Sequence, residues 1–286
     1  MKFRFSLFLI IFLFLNFFLI SRVQAFGIMP AKILITAERG ESKLIQLKVI
    51  NDEKIDNNYE IAVFDIDQAE DGSLNLLTSE DMKKIIVPLE KNIFLKAGEE
   101  KIINFSLIIP NDFYVGSHFA GLSVTQISSK NVQTQLLSIL DLEIAGQVQE
   151  KFSLLKFITN KKIFFNNDFS FYLALKNEGN VATPFAGEIK LRNIFKQEKF
   201  SQKLNLGDKI FAGAIRNSDI DIEKNNNIFW PGFYHAEIAI DYGLTGQKIN
   251  SQIDFVYLPF WSIGLILILI ISLIGFIFYK RTKYEK

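Results

Sequence analysis

From Phe260 to Tyr279 the chain carries no charged residue, and only Ser262 and Ser272 are polar interruptions. A helix rises 1.5 Å per residue, so about 20 such residues cross the roughly 30 Å hydrocarbon core of a bilayer. Lipid offers no partner to backbone N–H and C=O groups, which forces helical geometry on a single span. Trp261 and Tyr279 stand near the two ends, where amphipathic rings favour the headgroup zone. Lys280, Arg281 and Lys283 follow, and the positive-inside rule assigns the basic tail, 280–286, to the cytoplasm. A buried core helix would not require so pure a run. The expected span is 260–279.

The N-terminus carries a different apolar segment. Met1-Lys2-Phe3-Arg4 is basic, Ser6 to Ile20 is apolar apart from Asn16, and Val23-Gln24-Ala25 is a small-residue exit. That layout is a secretory signal, 1–25, with cleavage after Ala25; the competing reading is an uncleaved anchor. The expected topology is single-pass type I. The N-terminal ectodomain is extracellular or periplasmic and the C-terminus cytoplasmic.

Composition narrows what this ectodomain does. The net charge of +1 supplies no field for nucleic acid, and none is expected as a partner. The chain has no cysteine, which removes thiol catalysis, thiolate metal sites and disulfide staples. Its 29 Phe residues are shared between the apolar termini and the ectodomain core.

Periodicity between the two termini is of the strand kind. Lys43–Val49, Lys101–Leu107 and Phe169–Leu175 are short runs rich in β-branched and aromatic residues, bounded by Asn, Asp, Gly and Pro. No long stretch has the spacing of an amphipathic helix. An internal repeat organises these strands. Leu47–Ile50 runs into Asn51, and Leu173–Lys176 runs into Asn177. Gly116-Ser117-His118-Phe119-Ala120-Gly121-Leu122 parallels Gly232-Phe233-Tyr234-His235-Ala236-Glu237-Ile238, 116 residues later. The expected fold is therefore an all-β ectodomain of two tandem Ig-like β-sandwiches, 26–148 and 149–258, followed by one C-terminal transmembrane α-helix.

The order of landmarks resembles the WxL-interacting protein family of bacterial surface proteins. Those landmarks are Val87-Pro88-Leu89, Leu95-Lys96-Ala97-Gly98-Glu99, Pro110 with Asp112 and Gly116, Asn177-Glu178-Gly179-Asn180, and Trp230-Pro231-Gly232-Phe233-Tyr234 before the helix. The resemblance implies a peptidoglycan-binding first domain and a host- or partner-binding second domain. The same turn motifs recur in pilus-chaperone-like modules, so they speak for a sandwich more than for a ligand.

Candidate chemistry is sparse. The two histidines fall in different repeats. The repeat sets His118 opposite Tyr234, a packing position, while His235 is one register off and faces the other side of its strand. Asp65, Asp67, Glu70 and Asp71 present closely spaced hard oxygens of the kind a calcium loop uses, but their spacing fits no EF-hand and solvated turn chemistry at Asp71-Gly72 is the simpler reading. No catalytic, cofactor or metal residues are assigned. Phe113, Tyr114, Phe229, Trp230 and Phe233 are the candidate ligand contacts, as rings near loop ends; the alternative is that they plug the sandwich ends. The expected function is a non-enzymatic, membrane-anchored surface protein that holds cell-wall glycan or surface or host proteins. The rival is a tethered pilus-chaperone-like assembly factor that pairs a sheet edge with a client strand.

Overall fold

The computed structural model describes residues 25–77, 81–127, 133–204, 207, 209–222 and 228–284. The expected signal segment lies outside them, apart from Ala25.

Strands before residue 145 pair only among themselves, as do those after 151, among the described residues. The N-terminal sandwich has one sheet of β1 (Phe26–Met29), β3 (Ser42–Asn51), β8 (Glu100–Ile108) and β6 (Ile86–Pro88). Its second sheet runs β2 (Lys32–Ala37), β10 (Gln135–Ile144), β9 (Gly116–Ile127), β4 (Asn57–Gln68) and β5 (Leu74–Leu77), with β7 (Asn92–Leu95) also on β4. A five-residue helix that sequence periodicity does not announce, α1 (Asp81–Ile85), tucks Met82 and Ile85 under the sheet end.

The C-terminal sandwich sets β11 (Phe152–Thr159), β13 (Phe169–Asn177) and β17 (Ile215–Ile222) against a larger sheet. That sheet runs β12 (Ile163–Phe164), β19 (Gln247–Tyr257), β18 (Gly232–Tyr242), β14 (Thr183–Asn193) and β15 (Glu198–Leu204), with β16 (Lys209–Ile210) on β14. Helix α2 (Phe260–Tyr284) closes the chain. It continues past the expected limit of the apolar span into the basic segment.

Alternation explains the cores. In β3 the buried residues are Ile45, Leu47, Val49 and Asn51, and in β18 they are Tyr234, Ala236, Ile238, Ile240 and Tyr242. Phe164, Phe169, Phe171 and Phe255 fill the C-terminal core with edge-on and tilted rings at centroid distances of 5.1–5.9 Å, the geometry that ring quadrupoles favour.

The sequence repeat has a structural cause. Asn51 and Asn177 end equivalent strands, both fully buried. Asn51 Nδ2 donates to the carbonyls of Ile55, Leu95 and Lys96, and its Oδ1 accepts the Glu53 N–H. Asn177 Nδ2 donates to Val181 and Ile210, and its Oδ1 accepts the Gly179 N–H. Their backbones pair with matching turns: Gly98 N–H to Asn51 O, and Gly213 N–H to Asn177 O. Both glycines have positive φ, 75° and 78°, which excludes a side chain without strain.

The ring positions repeat too. His118 Nε2 meets the carbonyl of Tyr114 at 2.9 Å, and Tyr234 Oη donates to that of Trp230 at 2.8 Å. Each ring reaches four residues back to tie its strand to the preceding loop, in the manner of an Ig tyrosine corner.

Replacing Asn177 with Ala removes a donor to the Val181 and Ile210 carbonyls and the acceptor of the Gly179 N–H. Asn177→Ala is expected to cost about 3 kcal/mol of unfolding free energy, read from urea denaturation, and Asn51→Ala a similar amount.

Candidate functional site

The first strand of the chain divides between two sheets. β1 pairs antiparallel with β3, the Met29–Pro30 bond is cis, and β2 then pairs parallel with β10. The crossing is fastened by the buried Ser138 hydroxyl, which donates to Pro30 O at 2.7 Å. β2 begins opposite Ile139, whereas β10 begins at Gln135. Among the described residues, β10 therefore has β9 on one side of Gln135–Ser138 and no strand on the other.

Hydrogen-bond alternation identifies the open groups. Ile139 N–H donates toward β2, to Ala31 O, and Gln126 N–H on the β9 side donates to Thr134 O. Odd residues of β10 thus direct their backbone toward β2, so the N–H and C=O of Gln135 and Leu137 point to the open side. β2 is itself an edge, with Leu34 72% exposed. Its far end is guarded, because Lys43 Nζ donates to Thr36 O at 2.6 Å.

An apolar floor lies beside this edge, on the outward face of the β10–β9–β4–β5 sheet. A side chain on Gly121 would collide with Leu137 and touch Ile66 and Leu76. These three side chains therefore close over the glycine. Ile139 and Phe64 flank it across the strands, and Leu74 and Leu76 extend the surface outward, both exposed.

The C-terminal sandwich walls one end of the floor. Phe119 and Phe211 stack across the junction, centroids 3.6 Å apart and planes within 6°. Lys209 Nζ sits 4.9 Å from the Phe119 centroid and 2.8 Å from the mostly buried Asp141 carboxylate, which Lys32 also approaches at 3.2 Å. The Gln68 amide donates to Lys209 O and accepts the Phe211 N–H. Gly116, with φ of 119°, lies against Asn180 so closely that a Cβ there would overlap the Asn180 carbonyl.

The acidic residues weighed for calcium are distributed among structural tasks. Asp65 is buried and accepts the Met82 N–H at the start of α1. Asp71 accepts the Ser73 N–H and hydroxyl, which hold its carboxyl below the usual range, helped by Arg216. Glu70 accepts the Asn217 N–H through its backbone and the Asn217 amide through its side chain. Burial lowers the Arg216 guanidinium from its ordinary value, while Asp71 opposes the shift. No group of three or more potential ligands assembles among the described residues.

The ring contacts separate into two neighbourhoods. Phe113 packs on the N-terminal core and against His118, ring centroids 4.8 Å apart, while Tyr114 is exposed. Both border a cavity of about 500 Å³ between the sandwiches, with Asp65, Asp112, His118 and Phe211 in its wall. Phe229 and Trp230 lie at the far end of the C-terminal sandwich against Trp261 of α2, and Phe233 is exposed beside them. His235 is in the other sandwich from His118, with Nδ1 2.7 Å from Asp254 Oδ1.

No family model and no curated protein matches the chain. Similar solved structures include a chaperone–tip adhesin complex of CFA/I fimbriae, at 14% identity over 82% of this chain and 99% of that chain, TM-score 0.45. The class 5 fimbriae chaperone CfaA is similar at 14% identity over 82% and 100%, TM-score 0.44. The CsuC–CsuE chaperone–tip subunit pre-assembly complex of Acinetobacter baumannii Csu pili is similar at 18% over 68% and 90%, TM-score 0.40. At such identities and scores the likeness carries no argument about activity or partner. The chain's own strand order defines it as a tandem Ig-like sandwich protein whose β10 outruns its β2 neighbour over Gln135–Ser138.

Two outcomes are expected. Phe211→Ala removes the ring stacked on Phe119 and should cost about 3 kcal/mol; calorimetry should show one unfolding transition becoming two. Burial pulls the His118 imidazole below its ordinary value of 6.5, with the Tyr114 carbonyl opposing. The unfolded chain therefore takes the proton first as pH falls. Stability from this group is complete above about 6.5 and declines as pH drops toward the lower folded value. His118→Phe should flatten that slope in denaturant titrations.

Proposed function

We propose that this chain is a membrane-anchored, non-enzymatic protein that holds an exported polypeptide by adding the client's strand to the open edge of β10. The observation that carries this reading is the mismatch in strand length at that edge. β10 outruns β2 by Gln135–Ser138, and the backbone groups of Gln135 and Leu137 are directed to the side where, among the described residues, no strand pairs with them. An added strand gains main-chain hydrogen bonds, while its alternate side chains rest on apolar surface. Leu137, Ile139, Phe64 and Leu76 provide that surface, and the C-terminal sandwich limits how far a client can slide along it.

Anchorage suits such a role. Helix α2 offers 21 residues, Phe260–Lys280, of length and composition able to cross a membrane, and little of it is covered by the rest of the chain. A tether raises the effective concentration of the edge near emerging clients, so modest affinity suffices. The basic segment after the helix supports an ectodomain on the outer side.

The test is photo-crosslinking in cells that produce the full chain. A photoreactive residue at Leu137 should form an adduct with an exported polypeptide, and one at Lys248 on the other sandwich should not. Gln135→Pro removes an edge N–H while sparing the β9 ladder; it should abolish the adduct with little change in melting temperature. Absence of any adduct at Leu137, or an adduct indifferent to Gln135→Pro, sinks the reading. Co-sedimentation with peptidoglycan sacculi in its place would favour a cell-wall ligand.

A further inference from the structure

The end of the C-terminal sandwich that carries α2 is covered with apolar side chains that its core does not use. Trp230 is 70% exposed, Phe195 75%, Phe233 63% and Phe260 71%. They come from separate segments. Phe229 and Trp230 precede β18, Ile194 and Phe195 form the β14–β15 tip, and Phe165 follows β12. Strand register brings these segments to one level: Asn193 is opposite Tyr234, and Gly232 is opposite Tyr257. The β14–β15 tip therefore stands beside Phe233, three strands away from β12.

This end is coupled to the helix without a flexible linker. Leu258 N–H still donates to Phe164 O, at 2.8 Å, and α2 starts at Phe260. Ser262 caps the first turn by donating from both its N–H and its hydroxyl to Pro259 O. Phe165 stacks on Phe260 with centroids 5.5 Å apart, and Phe229 stacks on Trp261 at 5.0 Å. The first helical turn is thus gripped from two sides. Exposed Lys161 and Lys162 immediately precede β12 and exposed Lys196 follows Phe195, with Asp168 the acidic residue of the β12–β13 loop.

We infer that this whole end seats in the lipid–water interface of the membrane that α2 crosses, with Phe195, Phe233 and Trp230 immersed at headgroup level. The inference rests on the reading of α2 as a span, and continuity with that span identifies the occupant. Rings fixed within one turn of the helix entry cannot lie far from the bilayer surface. Aromatic side chains gain by placing their apolar bodies there, and lysines beside them favour anionic headgroups. The sandwich base is therefore a second membrane contact, which sets the tilt of the ectodomain.

The chain's two tryptophans make this testable. The full chain is reconstituted in vesicles of phosphatidylcholine and phosphatidylglycerol, with and without lipids brominated near the carbonyl end of their acyl chains. W230F leaves Trp261 as reporter of the span, and W261F leaves Trp230. F195W in the double W230F/W261F background reports the β14–β15 tip; circular dichroism verifies each fold. Trp230 and the indole at position 195 are expected to lose about half their emission to brominated lipid and to resist aqueous acrylamide. If Trp261 is quenched by lipid while either of the others answers only to acrylamide, the seating is overturned and the span survives. If Trp261 escapes lipid quenching as well, the span reading falls and the seating falls with it.

Discussion

Both sandwiches depend on one buried amide used in the same way. Asn51 and Asn177 each stand at the end of a core strand, where the chain leaves the sheet and its carbonyls lose their ladder partners. An apolar residue there would leave those carbonyls unsatisfied in a dry site, and a charge would be too costly to bury. A side-chain amide supplies donors and an acceptor together. It thereby fastens its own turn, the turn of the opposite sheet at Gly98 or Gly213, and the end of β7 or β16. The remaining strand pairings are built outward from that corner, which explains why the Asn and the Gly recur together in the two halves.

The junction works by a different logic. Its contacts join residues distant in sequence, such as Gln68 with Phe211 and Asp141 with Lys209, separated by 143 and 68 positions. A stacked ring pair supplies apolar burial, and the Gln68 amide imitates a strand by pairing with the backbone of 209–211. The Asp141 carboxylate between two lysines is mostly buried and paired on both sides, so its geometry restricts the angle between sandwiches more than it adds stability. Fixing that angle leaves the β10 floor open on one side and walled on the other.

These two regimes explain what was legible in the sequence. Strand alternation, the corner asparagines and the Gly-ring-Ala repeat are local and point to the all-β tandem sandwich, as the uncharged run Phe260–Tyr279 points to the C-terminal helix. The junction left no local mark: Phe119, Phe211 and Gln68 look like ordinary strand residues until the fold brings them together. The sheet switch at Pro30 was hidden as well, because one short strand read as alternating whichever sheet it joined. At the repeat's offset of 116 residues Phe113 and Tyr114 correspond to Phe229 and Trp230, and the Tyr114 and Trp230 carbonyls meet equivalent rings. Their surroundings differ because the first pair faces the other sandwich and the second group faces the base of α2. Repetition in sequence records how a strand is turned, and says nothing of what lies beyond the turn.

The stiffness of the last connection has a consequence for the open edge. A client on a flexible tether could be met at any orientation, and only effective concentration would matter. Here β19 passes into α2 through Leu258 and Pro259 alone, and rings from separate loops grip the first helical turn. If α2 spans the membrane as proposed, the membrane orients the C-terminal sandwich, and the interlocked junction passes that orientation to the N-terminal sandwich. On that reading the β10 edge is held at a set distance and angle from the bilayer. Under the proposed function, an edge so placed would select partners by the height and direction from which they arrive as well as by their side chains, a constraint that a soluble version of the same two sandwiches would lack.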